Sequence, residues 1–365
     1  MRSWSPQQQD ALAKCAAWLR IRHSPVFYLA GYAGTGKTTL AIEIARLVKG
    51  KVAFAAFTGK AARVMQSKGC AGARTIHSLI YSPVEQPDGE VKFQLRFRTE
   101  LAEYSLIIID ECSMVNEEIG KDLLSFNVPV LVLGDPAQLP PVSGGGYFTS
   151  GTPDYMLTEV HRQAAESPII WLATKIRNGE LRFTDTNTDG LLITQRKYLA
   201  PDAVTGADIV LVGRNDTRQR YNARLRQIAS RKKEVPESGE PVICLRNDRD
   251  AKIFNGDIFR VVGSRLSKAT VNLTLDDPDS DRKPFKVRVR KEFFQNEAAA
   301  SELAYSDLRG TQQFAYGYAI TCHKSQGSQW GNVCVFDESS VFREDRSRWL
   351  YTAATRAAEH LTLVI

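Results

Sequence analysis

A single glycine-rich stretch, Leu29-Ala30-Gly31-Tyr32-Ala33-Gly34-Thr35-Gly36-Lys37-Thr38-Thr39, constrains this chain more than any other part of it. It fits G-x-x-x-x-G-K-[ST], the pattern of a phosphate-cradling loop. An apolar run, Val26 to Ala30, leads in. A helical pattern leads out, with Leu40, Ile44 and Val48 on one face and Gly50 as its C-cap. Glycines let backbone N–H groups face phosphate oxygens, and the helix N-terminus adds partial positive charge. Lys37 is then expected to reach the β and γ phosphates of ATP, and Thr38 to hold Mg²⁺. Gly31, Ala33, Gly34, Thr35, Gly36 and Thr39 complete the expected nucleotide cradle. The plain alternative is an ordinary glycine-rich turn.

The chain has 365 residues, room for two or more domains with sizeable cores. Its net charge of +7 permits a polyanionic partner without requiring one. The six cysteines form no C-x-x-C pair and no metal-ligand spacing. Beside a nucleotide loop they predict reduced thiols and a cytoplasmic protein. No apolar h-region follows Met1-Arg2-Ser3-Trp4-Ser5-Pro6, and no apolar run reaches the length of a membrane span.

Upstream of the loop, Ser5 is a candidate N-cap with Pro6 at the first helical position. Leu12, Cys15, Ala16 and Leu19 then share a face. Val52–Phe57 reads as a second buried parallel strand, ending in Thr58-Gly59-Lys60 at a new helix start. A basic residue and a hydroxyl there suit a phosphate; a solvated first turn is the alternative. Thr75-Ile76-His77 follows, and an isolated His77 is commonly a structural histidine. Between 81 and 104, Val91, Phe93, Leu95 and Phe97 alternate with Lys92, Gln94, Arg96 and Arg98, predicting a small β-hairpin. Leu106–Ile109 is a buried strand ending in Asp110-Glu111. Behind a phosphate loop this is a Walker B element, with Asp110 on Mg²⁺ and Glu111 polarising a water. The next strand, Val128–Leu133, ends in Gly134-Asp135-Pro136-Ala137-Gln138, where the Gln138 amide can sense a γ-phosphate. Ser143–Gly146 looks like a mobile join closing the first domain.

Taken together, Gly31–Thr38, Phe57–Ala62, Thr75–His77, Asp110–Met114 and Gly134-Asp135-x-x-Gln138-Leu139-Pro140-Pro141 resemble the superfamily 1 helicases of the RecD-like and Dda-like group. Later segments extend the resemblance: Leu157–Gln163, the near match Tyr318-Ala319-Ile320-Thr321-Cys322-His323-Lys324-Ser325-Gln326-Gly327-Ser328, and Trp349–Ala357. Gln329 stands where the family often has glutamate, leaving a ribose contact by a carboxylate in question.

The resemblance implies an α/β fold of two RecA-like P-loop motor domains, each a parallel sheet flanked by helices. The first would span 1–150 with the hairpin 81–104 inserted. The second would span 151–233 and 311–365, interrupted by an SH3-like small barrel at 234–310. It also implies the adenine edge for Gln8, nucleotide-directed arginines at Arg162 and Arg356, and a place for Gly327 near the ATP site. DNA contacts would fall on Thr58, Lys60, Thr75, His77, Thr321, His323 and Lys324. Most arginines of the basic helix 216–233 read first as a solvated face, and the basic face of Phe285–Arg290 reads equally as a nucleic-acid contact or a solvated face. The implied activity is an ATP-dependent DNA helicase moving 5′ to 3′ on single-stranded DNA and acting at single-strand/duplex junctions. The hairpin reads either as a surface excursion or as a wedge that splits a duplex; the protein would be a monomer, and replication or recombination proteins are conceivable partners. Rival readings are a single-strand translocase that displaces proteins, a DNA-binding subunit with a silent ATPase, and a P-loop kinase.

Overall fold

The structure is a computed structural model describing residues 4–85, 91–141, 146–160, 166–248, 251, 253–278, 280 and 282–365. It divides into two compact units. One runs to Leu181 and takes in Ser347–Thr355; the other holds Arg182–Arg346 and Arg356–Ile365.

The first unit is built on a six-stranded sheet. Its strands are β1 (Val26–Gly31), β2 (Lys51–Ala56), β3 (Arg74–Thr75), β6 (Tyr104–Asp110), β7 (Val130–Gly134) and β8 (Tyr155–Leu157), in the order β3-β2-β6-β7-β1-β8. Every pairing in it is parallel. Parallel strands covered on both faces read as unbroken apolar runs, and alternate residues here do opposite jobs. Phe27, Leu29, Leu106, Ile108, Leu131 and Leu133 pack with the helices Pro6–Ile21 and Lys37–Leu47. Tyr28, Ala30, Ile107, Ile109, Val130 and Val132 pack on the other face. The two inserted strands, β4 (Tyr81–Glu85) and β5 (Val91–Leu95), form an antiparallel hairpin. The turn at Asp88-Gly89, expected to be its wedge tip, lies outside the described residues, as does most of the join expected at Ser143–Gly146.

Several local expectations are corrected. The buried stripe of the first helix is Gln8, Ala11, Cys15 and Trp18, because the sheet beneath it is met by that 3–4 spacing. The helix after the phosphate loop ends at Leu47, and Val48, with extended backbone, is the C-cap; Gly50 lies two residues beyond Val48, at φ 132°. The segment 151–181, expected in the second motor domain, belongs with the first unit. Its strand β8 pairs with β1, Leu29 opposite Tyr155 and Gly31 opposite Leu157.

The second unit carries a six-stranded sheet from β9 (Thr186–Thr188), β10 (Leu191–Thr194), β11 (Ile209–Val212), β17 (Ala319–Thr321), β18 (Trp330–Phe336) and β19 (Ala357–Val364). Their order is β17-β11-β18-β19-β10-β9, parallel except at the β9 edge. Between β11 and β17 lies a five-stranded antiparallel sheet of β12 (Pro241–Cys244), β13 (Ile258–Leu266), β14 (Thr270–Asp276), β15 (Phe285–Arg290) and β16 (Phe314–Tyr316). Val242, Phe259, Val261, Leu273 and Val289 fill its core. On β15, Val287 and Val289 are buried while Lys286 and Arg288 are exposed.

The basic helix, Asn215–Ile228, departs from the solvated reading at two of its arginines. Arg218 is buried and pairs with Glu297 through both terminal nitrogens. Arg226 donates to Glu240 at 2.7 and 3.1 Å, and Glu240 is fully buried. Arg220 and Arg224 remain exposed. Losing one partner of a buried ion pair strands the other charge. Glu240→Ala should therefore lower the unfolding free energy by about 3–5 kcal/mol. Denaturant titration of the second unit's transition measures this, and a loss under about 1 kcal/mol, the range of an exposed pair, would contradict it.

Candidate nucleotide site

The carboxyl ends of parallel strands are where a doubly covered sheet exposes its loops to ligands. β1, β6 and β7 deliver three segments to that edge. After β1 the backbone turns through Gly34 at φ 80° and Gly36 at φ 81°, then enters the helix beginning at Lys37. A side chain would be strained at either glycine. Gly31 is required for another reason: a Cβ there would meet Thr35 Oγ1 at 2.7 Å and Leu157 Cβ at 2.9 Å. Thr35 is buried and its hydroxyl donates to the Tyr32 carbonyl at 2.8 Å, while Lys37 Nζ donates to the carbonyls of Gly31 at 2.6 Å and Tyr32 at 3.0 Å. The Arg177 guanidinium lies 3.6 Å from the centre of the Tyr32 ring. Thr39 sits in the first turn of the helix.

Strand β6 ends at Asp110, and Thr38 Oγ1 donates to its Oδ2 at 2.8 Å. A hydroxyl beside a carboxylate is the hard-oxygen donor set that suits Mg²⁺ better than softer metals. Among the described residues no group of three or more His, Cys, Asp or Glu side chains is arranged to hold a metal ion by itself. Glu111, the next residue, adopts the left-handed region at φ 54° and ψ 46°, with its N–H on Asp110 Oδ1 at 2.9 Å. Such a conformation costs a residue with a Cβ about 1–3 kcal/mol and clusters at functional sites. It turns the chain sharply where the strand stops.

Strand β7 leads to Asp135 and Gln138, both buried. The Gln138 Oε1 has no hydrogen-bond partner among the described residues. A buried carbonyl left without a partner is uncommon in a folded protein. Gln8 is braced on the same loop. Its Oε1 accepts from Ser5 N–H at 3.1 Å as part of a capping box, and its Nε2 donates to the Thr35 carbonyl at 3.2 Å.

The expected strand-contacting residues are more spread out. Thr58 and Thr75 are helix N-caps, accepting from Ala61 and Ser78 N–H at 3.1 Å each. Lys60 is half-buried on the first turn after Thr58. His77 packs its ring against Tyr81 at 4.6 Å and Phe93 of the hairpin at 4.4 Å. In the second unit Thr321 ends β17 and is buried, while Lys324 is exposed. His323 is half-buried; burial holds its imidazole below the ordinary value, with Asp345 opposing. Gly327 takes φ 74°. Arg356 is buried and donates to the Ser328 carbonyl at 3.1 Å. Arg162 lies outside the described residues.

This geometry belongs to a recognisable family. The AAA domain matches residues 3–196, more than half of the chain, and the UvrD-like helicase C-terminal domain matches 316–364. The chain belongs to the AAA domain family. This AAA domain chain is 29% identical to the ATP-dependent RecD2 DNA helicase of Deinococcus radiodurans, over 91% of this chain and 46% of that protein. It is 35% identical to the ATP-dependent DNA helicase dda of Enterobacteria phage T4, over 44% of this chain and 39% of that protein. The chain thus spans about half the length, or less, of these two relatives. The crystal structure of Bacteroides Pif1 bound to ssDNA superposes with a TM-score of 0.60 at 18% identity, covering 100% of this chain and 93% of that one. The two share a fold. The resemblance to RecD-like and Dda-like helicases read from the motifs is borne out by these relatives. Among the described residues no helix is long and apolar enough to cross a membrane.

Sequence reading passed over two residues at this site. The Tyr351 hydroxyl lies 3.0 Å from the Ala33 nitrogen and 2.7 Å from Asp135 Oδ2; Tyr351 and Asp135 both sit within motif-like strings, but nothing in their spacing says that they meet. The tight approach at Gly31 gives a direct check. Gly31→Ala should weaken nucleotide binding at least about tenfold, or 1.4 kcal/mol, because the added methyl displaces Thr35 and Lys37. Titration with a fluorescent ATP analogue measures it; unchanged affinity would mean that the loop does not cradle the nucleotide.

Proposed function

We propose that this chain is an ATP-dependent motor that translocates 5′ to 3′ on single-stranded DNA and opens duplex ahead of it. The observation that supports this most is the Thr38–Asp110 hydrogen bond behind a glycine-shaped loop, in a chain whose relatives are named ATP-dependent DNA helicases. Its overall charge of +7 suits a polyanionic track.

In this reading Lys37 leaves the loop carbonyls to neutralise the β and γ phosphates. Thr38 and Asp110 would hold magnesium, whose charge would offset that building on the transferred phosphoryl group. Glu111 orients and polarises the attacking water, and Gln138 offers its unpartnered carbonyl side to the segment that senses hydrolysis. Gln8 keeps the loop in register and takes the adenine edge. Arg356 and Arg162 act as nucleotide-directed arginines, a role worth about 10³–10⁵ in rate where it operates. Thr58, Lys60, Thr75, His77, Thr321, His323 and Lys324 meet the strand. His323, whose charged form burial disfavours against the opposing pull of Asp345, contributes a hydrogen bond. The five-stranded antiparallel sheet is read as the SH3-like insertion of the family, and the hairpin as the wedge. The chain works as a monomer.

The test is turnover with and without single-stranded DNA, followed by strand displacement on duplexes carrying a 5′ or a 3′ tail. DNA should stimulate hydrolysis strongly, Lys37→Ala should abolish it, and only the 5′-tailed duplex should open. Hydrolysis indifferent to DNA would refute the motor. Stimulated hydrolysis with neither duplex opened would favour a single-strand translocase.

A further inference from the structure

We infer that Tyr351 is a positioning residue of the nucleotide site, coupling the phosphate loop to the segment that carries Gln138. The inference rests on reading Gly31–Thr38 as that site. Tyr351 lies on the helix Arg346–Ala354, in the part of the chain that belongs to the first unit, and is 2% exposed. Its hydroxyl accepts the Ala33 N–H at 3.0 Å and donates to Asp135 Oδ2 at 2.7 Å. One residue on, Thr352 Oγ1 accepts the Leu139 N–H at 2.9 Å. Asp135 is 1% exposed, and its other oxygen accepts the Ala137 N–H at 3.0 Å.

The direction of this chain of bonds is fixed by chemistry. A backbone N–H can only donate, so the phenol oxygen accepts from Ala33 and its own O–H donates to Asp135. Burial, reinforced by Asp135, pushes the Tyr351 phenol well above its ordinary value, so the proton stays in place at working pH. Ala33 is a loop amide between Gly31 and Gly34. Asp135 and Ala137 form the turn immediately before Gln138, and Leu139 follows it. One helix therefore grips both sides of Gln138 and the loop at once. A shift of the loop on taking a γ-phosphate reaches the Gln138 turn through two hydrogen bonds. Without the hydroxyl the loop and the turn respond separately.

Tyr351→Phe keeps the ring and its packing and removes only the oxygen. The readout is the ratio of affinities for a non-hydrolysable ATP analogue and for ADP, alongside kcat. The variant should lose about tenfold in that ratio and in kcat, as expected for one charge-assisted hydrogen bond, with ADP affinity retained. Asp135→Asn should do the same, and the double variant should be no worse than the more damaged single one, since both sever one connection. If Tyr351→Phe fails to fold, Asp135→Asn carries the comparison. An unchanged ratio and kcat in either folded variant, or additive losses in the double one, would overturn the coupling. Wild-type protein that binds neither nucleotide would overturn the underlying site reading instead, so the two failures are distinguishable.

Discussion

The bond between Thr38 and Asp110 is the contact on which the rest of the first unit depends. Its two residues are 72 positions apart in sequence. They meet because β1 and β6 run parallel on either side of β7, about 10 Å apart at the usual strand spacing, and end at the same edge. The apolar runs that bury these strands on both faces are therefore also what sets the distance between a hydroxyl and a carboxylate. A one-residue slip in β6 would turn Asp110 to the other face and remove it from the site.

The local backbone is shaped around the same contact. Glycine is needed at 34 and 36 for conformation and at 31 for space. Glu111 accepts a strained conformation to turn the chain at the strand end. Stability is spent there and recovered in the packed faces of the sheet, where Leu29, Ile108 and Leu131 are fully buried. The buried ion pairs of the second unit serve another purpose. Arg218 with Glu297, and Arg226 with Glu240, hold the inserted antiparallel sheet and its following helices against the helix Asn215–Ile228.

Much of this was legible in the sequence because it is written in short-range patterns. The phosphate loop, the Ser5-Pro6 helix start, and the apolar strands ending in Asp110 and Gly134 each carry their signal within a few residues. Burial partners are not written that way. Arg218 and Arg226 sit in a charge-rich helix that looks solvated until Glu297 and Glu240 arrive from 79 and 14 residues away. Strand β8 is only three residues long, too short for periodicity to reveal that it joins β1. Tyr351 and Asp135 are 216 positions apart, and no spacing rule predicts that a phenol will bridge a loop amide and a carboxylate. Thr58 and Thr75 show the converse: their hydroxyls are explained locally as helix caps, whatever else they touch.

The most direct test of the account is the magnesium dependence of nucleotide affinity, measured by calorimetry for the wild-type protein and for Thr38→Ala. If Thr38 and Asp110 together present the metal-bearing phosphates to the loop, Mg²⁺ should tighten nucleotide binding to the wild type and have little effect on the variant. Equal tightening of both proteins by Mg²⁺ would contradict the claim that this pair of side chains builds the site.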